Sequence, residues 1–352
     1  MKLFVTGASG FLGKYVVAEA VRQGYAVKAV VRPATDTSKL AWADHPAVEL
    51  VRVDLRQGRG IAEALSDVDC VIHLAAVKGG DFYDRFAGTV LTTENLLGAM
   101  TTAAVKKLVA TSTFSVYDYF KPSANRVIDE AFPIESEPEY RDAYAQTKLI
   151  QEDMMREWGN TNGAAVTLIR PGMIYGREAL WNACHGADFG SKWLLIGPKA
   201  LIPVTYVENC AEAIVLSVGS AAAAGEVINV VDDNLPTRRQ FTKALVKRTD
   251  NPPQVIPMPW GMMRGVSSLA WFVNQQLLKG KARLPGLLIP ASLDARLKPF
   301  RYTNAKAKKT LNWTPRYTLE TALDRSVSDQ CLLSDMLAKA PATPTLEPVA
   351  QS

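Results

Sequence analysis

The sequence predicts an α/β protein with a doubly wound parallel sheet, and three observations carry that prediction. Short apolar runs rich in Val, Leu and Ile recur through the first half of the chain, helical patterns separate several of them, and a glycine-rich turn joins the first run to the first helix. Strands covered on both faces read as unbroken apolar runs, and strand–helix units repeated at this size imply parallel pairing. The candidate strands are 2–6, 27–31, 48–53, 70–74, 107–112 and 166–170. Helical patterns run over 12–23, 90–104 and 144–158.

After Pro171 the pattern loosens. Residues 177–205 are rich in Gly, Trp and Pro, 207–220 read as a helix, and 226–231 read as a further buried strand. Most of the later prolines fall in 251–300. The expected organisation is a sheet domain over 1–175, with 207–232 returning to the sheet. A lobe built from insertions takes 176–206 and 233–337. The last fifteen residues, 338–352, have little apolar content to pack and read as a flexible tail.

Composition narrows the function. The 352 residues are 48% apolar and 21% charged, and the net charge of +5 is spread along the chain. Without a long basic block, nucleic-acid binding is not expected. Cysteines at 70, 184, 210 and 331 form no CxxC pair and have no His cluster nearby, so neither a metal site nor a disulfide framework is expected. The opening "MKLFVTG" enters a strand at once, without a signal-peptide pattern, and no apolar run reaches the roughly 18 to 20 residues of a membrane span. These features predict a soluble, cytoplasmic protein.

The glycine turn is "FVTGASGFLGKYV", with Gly7, Gly10 and Gly13 directly between strand and helix. Glycines there allow a tight turn and let backbone approach a pyrophosphate seated at the helix N-terminus. The spacing is GxxGxxG, and its place after a strand and before an amphipathic helix gives it weight. "TGASGFLG" resembles the cofactor loop of the extended short-chain dehydrogenase/reductase superfamily. The resemblance continues in order through "HLAA" (73–76), "TSTFSVYD" (111–118), "YAQTK" (144–148), "RPGMIYG" (170–176) and "YVENCAEA" (206–213), and covers about 320 residues. In motif detail the chain is most similar to the 3β-hydroxysteroid dehydrogenase-like branch. The resemblance implies a Rossmann-type sheet with a smaller C-terminal substrate lobe. It also implies a nicotinamide cofactor held by Phe11 and Leu12 beside the glycines, by Asp54 and Leu55, by Ala75 and Ala76, and by Pro171 and Ile174.

The second strand ends "AVVRP", so Arg32 stands where a carboxylate would bind the ribose 2′-hydroxyl of NAD. An arginine there can pair with a 2′-phosphate, which favours NADP while leaving NAD possible.

A tyrosine four residues ahead of a lysine occurs three times, at Tyr117/Lys121, Tyr144/Lys148 and Tyr302/Lys306. Pro122 argues against a continuing helix at the first copy, and the third lies far along the chain from every cofactor motif. Tyr144 and Lys148 open a long helical pattern, where residues four apart share a face. They are therefore the expected acid–base pair, with the lysine ammonium and the cofactor's charge lowering the tyrosine pKa from ~10 toward neutrality. By resemblance Thr113 supplies the hydroxyl that binds the substrate oxygen, and Lys148 also bonds the nicotinamide ribose. Thr89 stands where the family often has Asn, which puts any relay through that position in doubt.

Three features bear on the substrate. Phe114 and Ser115 replace the acidic pair of sugar dehydratases, and Ile202 stands where sugar-nucleotide enzymes place a diphosphate-gripping Arg. Met263, Val266, Ala270, Val273 and Leu277 form an apolar stripe at helical spacing, which suits core packing, an apolar cleft or peripheral contact with a membrane. The reading is an NADP-preferring oxidoreductase that interconverts a secondary alcohol and a ketone on a sterol-like or long-chain compound. A nucleotide-sugar epimerase and a non-catalytic NADP sensor are the alternatives. By resemblance, a homodimer forms through 90–104 and 144–158.

Overall fold

The computed structural model describes residues 1–182, 184–282 and 284–338; the rest of the expected tail, 339–352, lies outside the described residues. Seven parallel strands form one sheet: β1 Lys2–Thr6, β2 Ala26–Val31, β3 Val48–Arg52, β4 Cys70–His73, β5 Lys107–Thr111, β6 Ala165–Pro171 and β7 Val227–Val230. Their order across the sheet is β7-β6-β5-β4-β1-β2-β3, all paired in parallel. The fold is the predicted doubly wound Rossmann-type sheet. Strand edges fall within two residues of the sequence reading.

Four helices cover the sheet: α1 Phe11–Arg22, α2 Thr92–Thr102, α3 Ala143–Asn162 and α4 Val207–Gly219. On one face α1 and α4 bury Val16, Val17, Ala211 and Ile214 against β1, β2 and β7. On the other, Leu96, Leu97 and Met100 of α2 and Met155 of α3 pack on Phe4, Val71 and Leu108. Two apolar cores, one on each face, explain why the strands carry no polar alternation.

The chain order reverses between β1 and β4, so the connections leave those strands in opposite directions and open a crevice at their C-terminal ends. Part of the remaining chain forms a smaller lobe beside it, but the expected lobe bounds of 233–337 run too far: Ala307, Leu311, Leu323 and Leu332 of the C-terminal helices pack into the core on the α1 and α4 face of the main sheet. A three-stranded sheet of Ala187–Asp188, Lys192–Ile196 and Gln254–Met258 belongs to this lobe, as do helices α5 Arg238–Val246, α6 Trp260–Gln276 and α7 Pro290–Leu297.

Helix α6 narrows the alternatives for its apolar stripe. Its buried positions are Met263, Ser267 and Asn274, while Val266 and Leu277 of the expected stripe face outward. Polar contacts set this rotation: Asn274 exchanges hydrogen bonds with the backbone of Ala282 (3.1 and 3.2 Å), and Arg264 pairs with Asp294 of α7 (3.2 Å).

Candidate active site

The turn after β1 is built from backbone that side chains would obstruct. Gly7 has φ +67°, and a Cβ there would sit 2.9 Å from the amide nitrogen of Ala75. A Cβ on Gly13 would lie 2.0 Å from the carbonyl oxygen of Gly7, so α1 approaches the turn only because residue 13 is glycine. A cavity of about 520 Å³ opens at this turn and brings together Gly7, Gly10, Arg32, Asp54, Leu55, Ala75 and Ala76. Of the other expected cofactor residues, Phe11, Leu12 and Gly13 lie in the first turn of α1, Pro171 closes β6, and Ile174 lies in the strand Met173–Tyr175; none of these lines the cavity. The cradle suits a dinucleotide: glycine backbone at a helix N-terminus for the pyrophosphate, and a polar far end for the adenosine.

That far end holds two arginines, of which sequence reasoning named one. Arg32 is exposed and, among the described residues, makes no ion pair. Arg56 also lines the cavity and clasps Asp54 with both Nε and Nη2 (3.1 and 2.8 Å). The Arg56 bonds, helped by Arg32, hold the Asp54 carboxyl below the usual carboxylate range. Arg56 follows β3 rather than β2, so nothing in its own stretch of sequence marked it.

Helix α3 positions the second half of the site. Asp142 caps it, its side chain accepting from the Ala145 amide (2.9 Å), which contributes about 1 kcal/mol. A buried bidentate pair between Glu152 of α3 and Arg170 of β6 (2.8 and 2.6 Å) fixes the helix to the sheet. Tyr144 and Lys148 therefore stand on a braced face beside the C-terminal end of β5. Thr113 follows that strand, caps the short helix Phe114–Val116 by accepting from the Ser115 amide, donates to Ser115 Oγ (3.3 Å), and stands near enough to the Tyr144 phenol to lower its pKa. Thr113, Tyr144 and Lys148 are brought together.

The other two tyrosines are committed elsewhere. Tyr117 is buried, donates to Asn229 (2.7 Å) and lies under the Arg170 guanidinium; Lys121 points outward to Ser136 and Glu137. Tyr302 ends a two-residue strand that pairs with Val127–Ile128, while Lys306 lies in the following helix, so the two share no helical face. Distance along the sequence misled in one respect. The Tyr302 ring stacks on Phe114 at 5.8 Å, next to Thr113, so this tyrosine forms a wall near the site.

The expected lowering of the Tyr144 pKa is not what the structure has. Burial pushes the phenol up to about 12, with the Thr113 hydroxyl pulling it partly back. The Lys148 ammonium is turned away: it is 2% exposed and donates to the carbonyl of Thr111 (2.8 Å) and to Oε1 of Gln151 (2.6 Å). Burial pushes its pKa down to about 7, against the raising influence of Glu152.

Gln151 belongs to a buried chain of polar groups whose directions the hydrogen bonds assign. Thr6 Oγ1 accepts from the amides of Leu74 (3.2 Å) and Ala75 (3.3 Å), so its own proton goes to His73 Nδ1 (2.7 Å). Burial pushes His73 down to about 3, which keeps the ring neutral with its proton on Nε2. That proton is donated to Thr93 Oγ1 (3.0 Å), which also accepts from Gln151 Nε2 (2.8 Å) and donates to the carbonyl of Thr89 (2.6 Å). Gln151 is thereby left with its oxygen toward Lys148. The chain runs from the backbone at Ala75, a wall of the cofactor cradle, to the Lys148 ammonium. Thr89 sits in a π-helical turn, Phe86–Leu91, and its hydroxyl accepts from the Val77 amide (3.1 Å).

A model of the NAD dependent epimerase/dehydratase family matches residues 3–230. The chain is 26% identical to the 4-hydroxy-2-methyl-3-oxo-4-farnesyl-3,4-dihydroquinoline-1-oxide ketoreductase of Stigmatella aurantiaca over 333 residues, spanning 92% of this chain and 95% of the relative. It is 25% identical to a 3 beta-hydroxysteroid dehydrogenase/Delta 5-->4-isomerase of Mycobacterium tuberculosis over 342 residues, 92% of this chain and 88% of the other. Among solved structures, UDP-glucuronic acid 4-epimerase from Bacillus cereus in complex with NAD superposes with a TM-score of 0.68 at 19% identity, covering 96% of this chain and all of that one. That likeness is one of fold.

Proposed function

The chain belongs to the NAD dependent epimerase/dehydratase family, and from that premise we propose that it is an NADP-preferring oxidoreductase that reduces a ketone on an apolar small molecule. The coarser part, an NAD(P)-dependent oxidoreductase, rests on the family and on relatives named as ketoreductase and dehydrogenase. The observation that carries the finer reading is Tyr144, half-buried at the start of α3, one helical turn from Lys148 and close enough to Thr113 for that hydroxyl to act on its phenol.

A nicotinamide cofactor, when bound, supplies the hydride. The chain's own residues handle the proton. Thr113 and Tyr144 hold the carbonyl oxygen between two hydroxyls, and Tyr144 gives that oxygen its proton as negative charge develops. A phenol at about 12 is protonated throughout the neutral range, which suits the role of proton donor in the reducing direction. Lys148 stabilises the phenolate left behind, and its ammonium must turn from Gln151 to do so.

Preference for NADP is supported by Arg32, which lines the cavity beside Arg56 and, unlike Arg56, is not paired with Asp54. An apolar substrate is supported by Ile202, which is buried in the core and leaves no cation at the position where a diphosphate would need one. Phe114 and Tyr302 give an aromatic wall beside Thr113. The farnesylated quinoline and the steroid named for the two relatives are compounds of this class. The proposal includes a homodimer through α2 and α3.

Calorimetric titration with NADPH and NADH tests the cofactor assignment. NADPH binds more tightly, and Arg32→Asp narrows the gap by roughly ten- to a hundredfold, the range of a charge-assisted contact. Equal affinities in the parent protein overturn it. Micromolar binding of UDP-glucose would overturn the substrate class.

A further inference from the structure

Helix α6 is amphipathic in the inverted sense. Its polar groups face the protein: Ser267 and Asn274 are buried, and Arg264 reaches Asp294. Of its apolar side chains Met263 is buried, and most of the others face outward. Met262, Val266, Leu269, Phe272, Leu277 and Leu278 are exposed, with Leu269 at 65%, Phe272 at 60% and Leu277 at 73%. On a helix, 262, 266, 269 and 273 fall on one side, with Phe272 at its edge. Water is a poor neighbour for so large a patch.

Charge says what covers it. From 251 to 293 the sequence has no Asp or Glu, and its charged residues are Arg264, Lys279, Lys281 and Arg283. Lys279 and Lys281 are exposed just past the C-terminal end of α6. An apolar stripe ending in cations, with Phe272 at its edge, matches the boundary of an anionic bilayer: the stripe enters the acyl region and the lysines meet headgroup phosphates. A second copy of the face would offer Lys279 and Lys281 no acid. Among the described residues no helix is long and apolar enough to cross a membrane, so α6 would lie in the plane of the surface. Behind it a cavity of about 720 Å³, lined by Arg264, Ser268 and Trp271 of α6, reaches Tyr140 and Arg141, just ahead of Tyr144.

We propose that α6 docks the protein on an anionic lipid surface through the Met262–Val266–Leu269–Phe272 face, with Lys279 and Lys281 engaging headgroup phosphates. The docking stands apart from what the site reduces, because its test needs no turnover.

The full chain is sedimented with vesicles of phosphatidylcholine alone or of phosphatidylcholine with phosphatidylglycerol, at low and high salt, and its mass is measured by light scattering. The parent protein is expected to pellet with the anionic vesicles at low salt. The triple variant V266Q/L269Q/F272Q and the pair K279E/K281E are each expected to lose at least tenfold in bound fraction, with mass and NADPH affinity unchanged. A variant that fails to bind NADPH is set aside, and the other decides. The proposal is overturned if the parent pellets with neither vesicle or if both folded variants pellet like the parent. It is overturned too if the triple variant halves the mass, which would make the face an interface between copies.

Discussion

Replacing Lys148 by methionine should change how stability depends on pH, and by a calculable amount. The ammonium is buried, and its pKa in the folded chain is pushed down to about 7 by that burial. In the unfolded chain it returns to ~10.4. Below pH 7 both states hold the proton, and the wild type carries the full cost of a buried charge. As pH rises above 7 the folded state releases the proton and the unfolded state keeps it, so wild-type stability climbs by about 1.4 kcal/mol per pH unit. Over roughly three units this amounts to about 4 kcal/mol, ending as the unfolded lysine titrates. The methionine variant has no proton to release at this position. Urea unfolding of both proteins from pH 6.5 to 10 (an assay range of about four units) should therefore show the stability difference, variant minus wild type, falling by that slope. Taking the difference cancels the tyrosines and cysteines that titrate in the same window. A difference that stays flat with pH would refute the burial argument.

Gln151→Leu removes the acceptor that Lys148 holds and the donor that Thr93 receives. Losing one of the two acceptors of a buried ammonium should cost about 1–3 kcal/mol in unfolding free energy; Gln151→Glu, which keeps an acceptor, should restore part of it. Tyr117→Phe strands the buried Asn229 oxygen and should cost about 1–3 kcal/mol in unfolding free energy, with kcat unchanged.

Much of the fold was legible because each strand had to be covered on both faces. The apolar runs at β1, β2, β4 and β5 admit no other environment, and the glycine turn fixes where the first helix begins. The Tyr144 pair was legible from local context, since a long helical pattern decides which side chains share a face. What stayed hidden depends on contacts far apart in the chain. Tyr302 reaches the site through a two-residue strand paired with Val127–Ile128, and no local pattern marks it. The role of Gln151 exists only because His73, Thr93 and Lys148 converge on it from three other positions in the fold. Helix α6 has its apolar residues at helical spacing, but its rotation is set by Asn274 and Arg264, so the spacing named the stripe without saying which side was buried.

The most direct test of the account is NADPH oxidation by wild type, Tyr144→Phe and Tyr302→Phe with a 3-ketosteroid as probe, each paired with a calorimetric NADPH affinity. Loss of the proton donor should cost Tyr144→Phe roughly a hundred- to ten-thousandfold in kcat, with NADPH affinity nearly intact and Tyr302→Phe retaining turnover. Turnover by Tyr144→Phe at the wild-type rate, or its loss in Tyr302→Phe alone, would contradict the assignment of Tyr144 as the residue that delivers the proton.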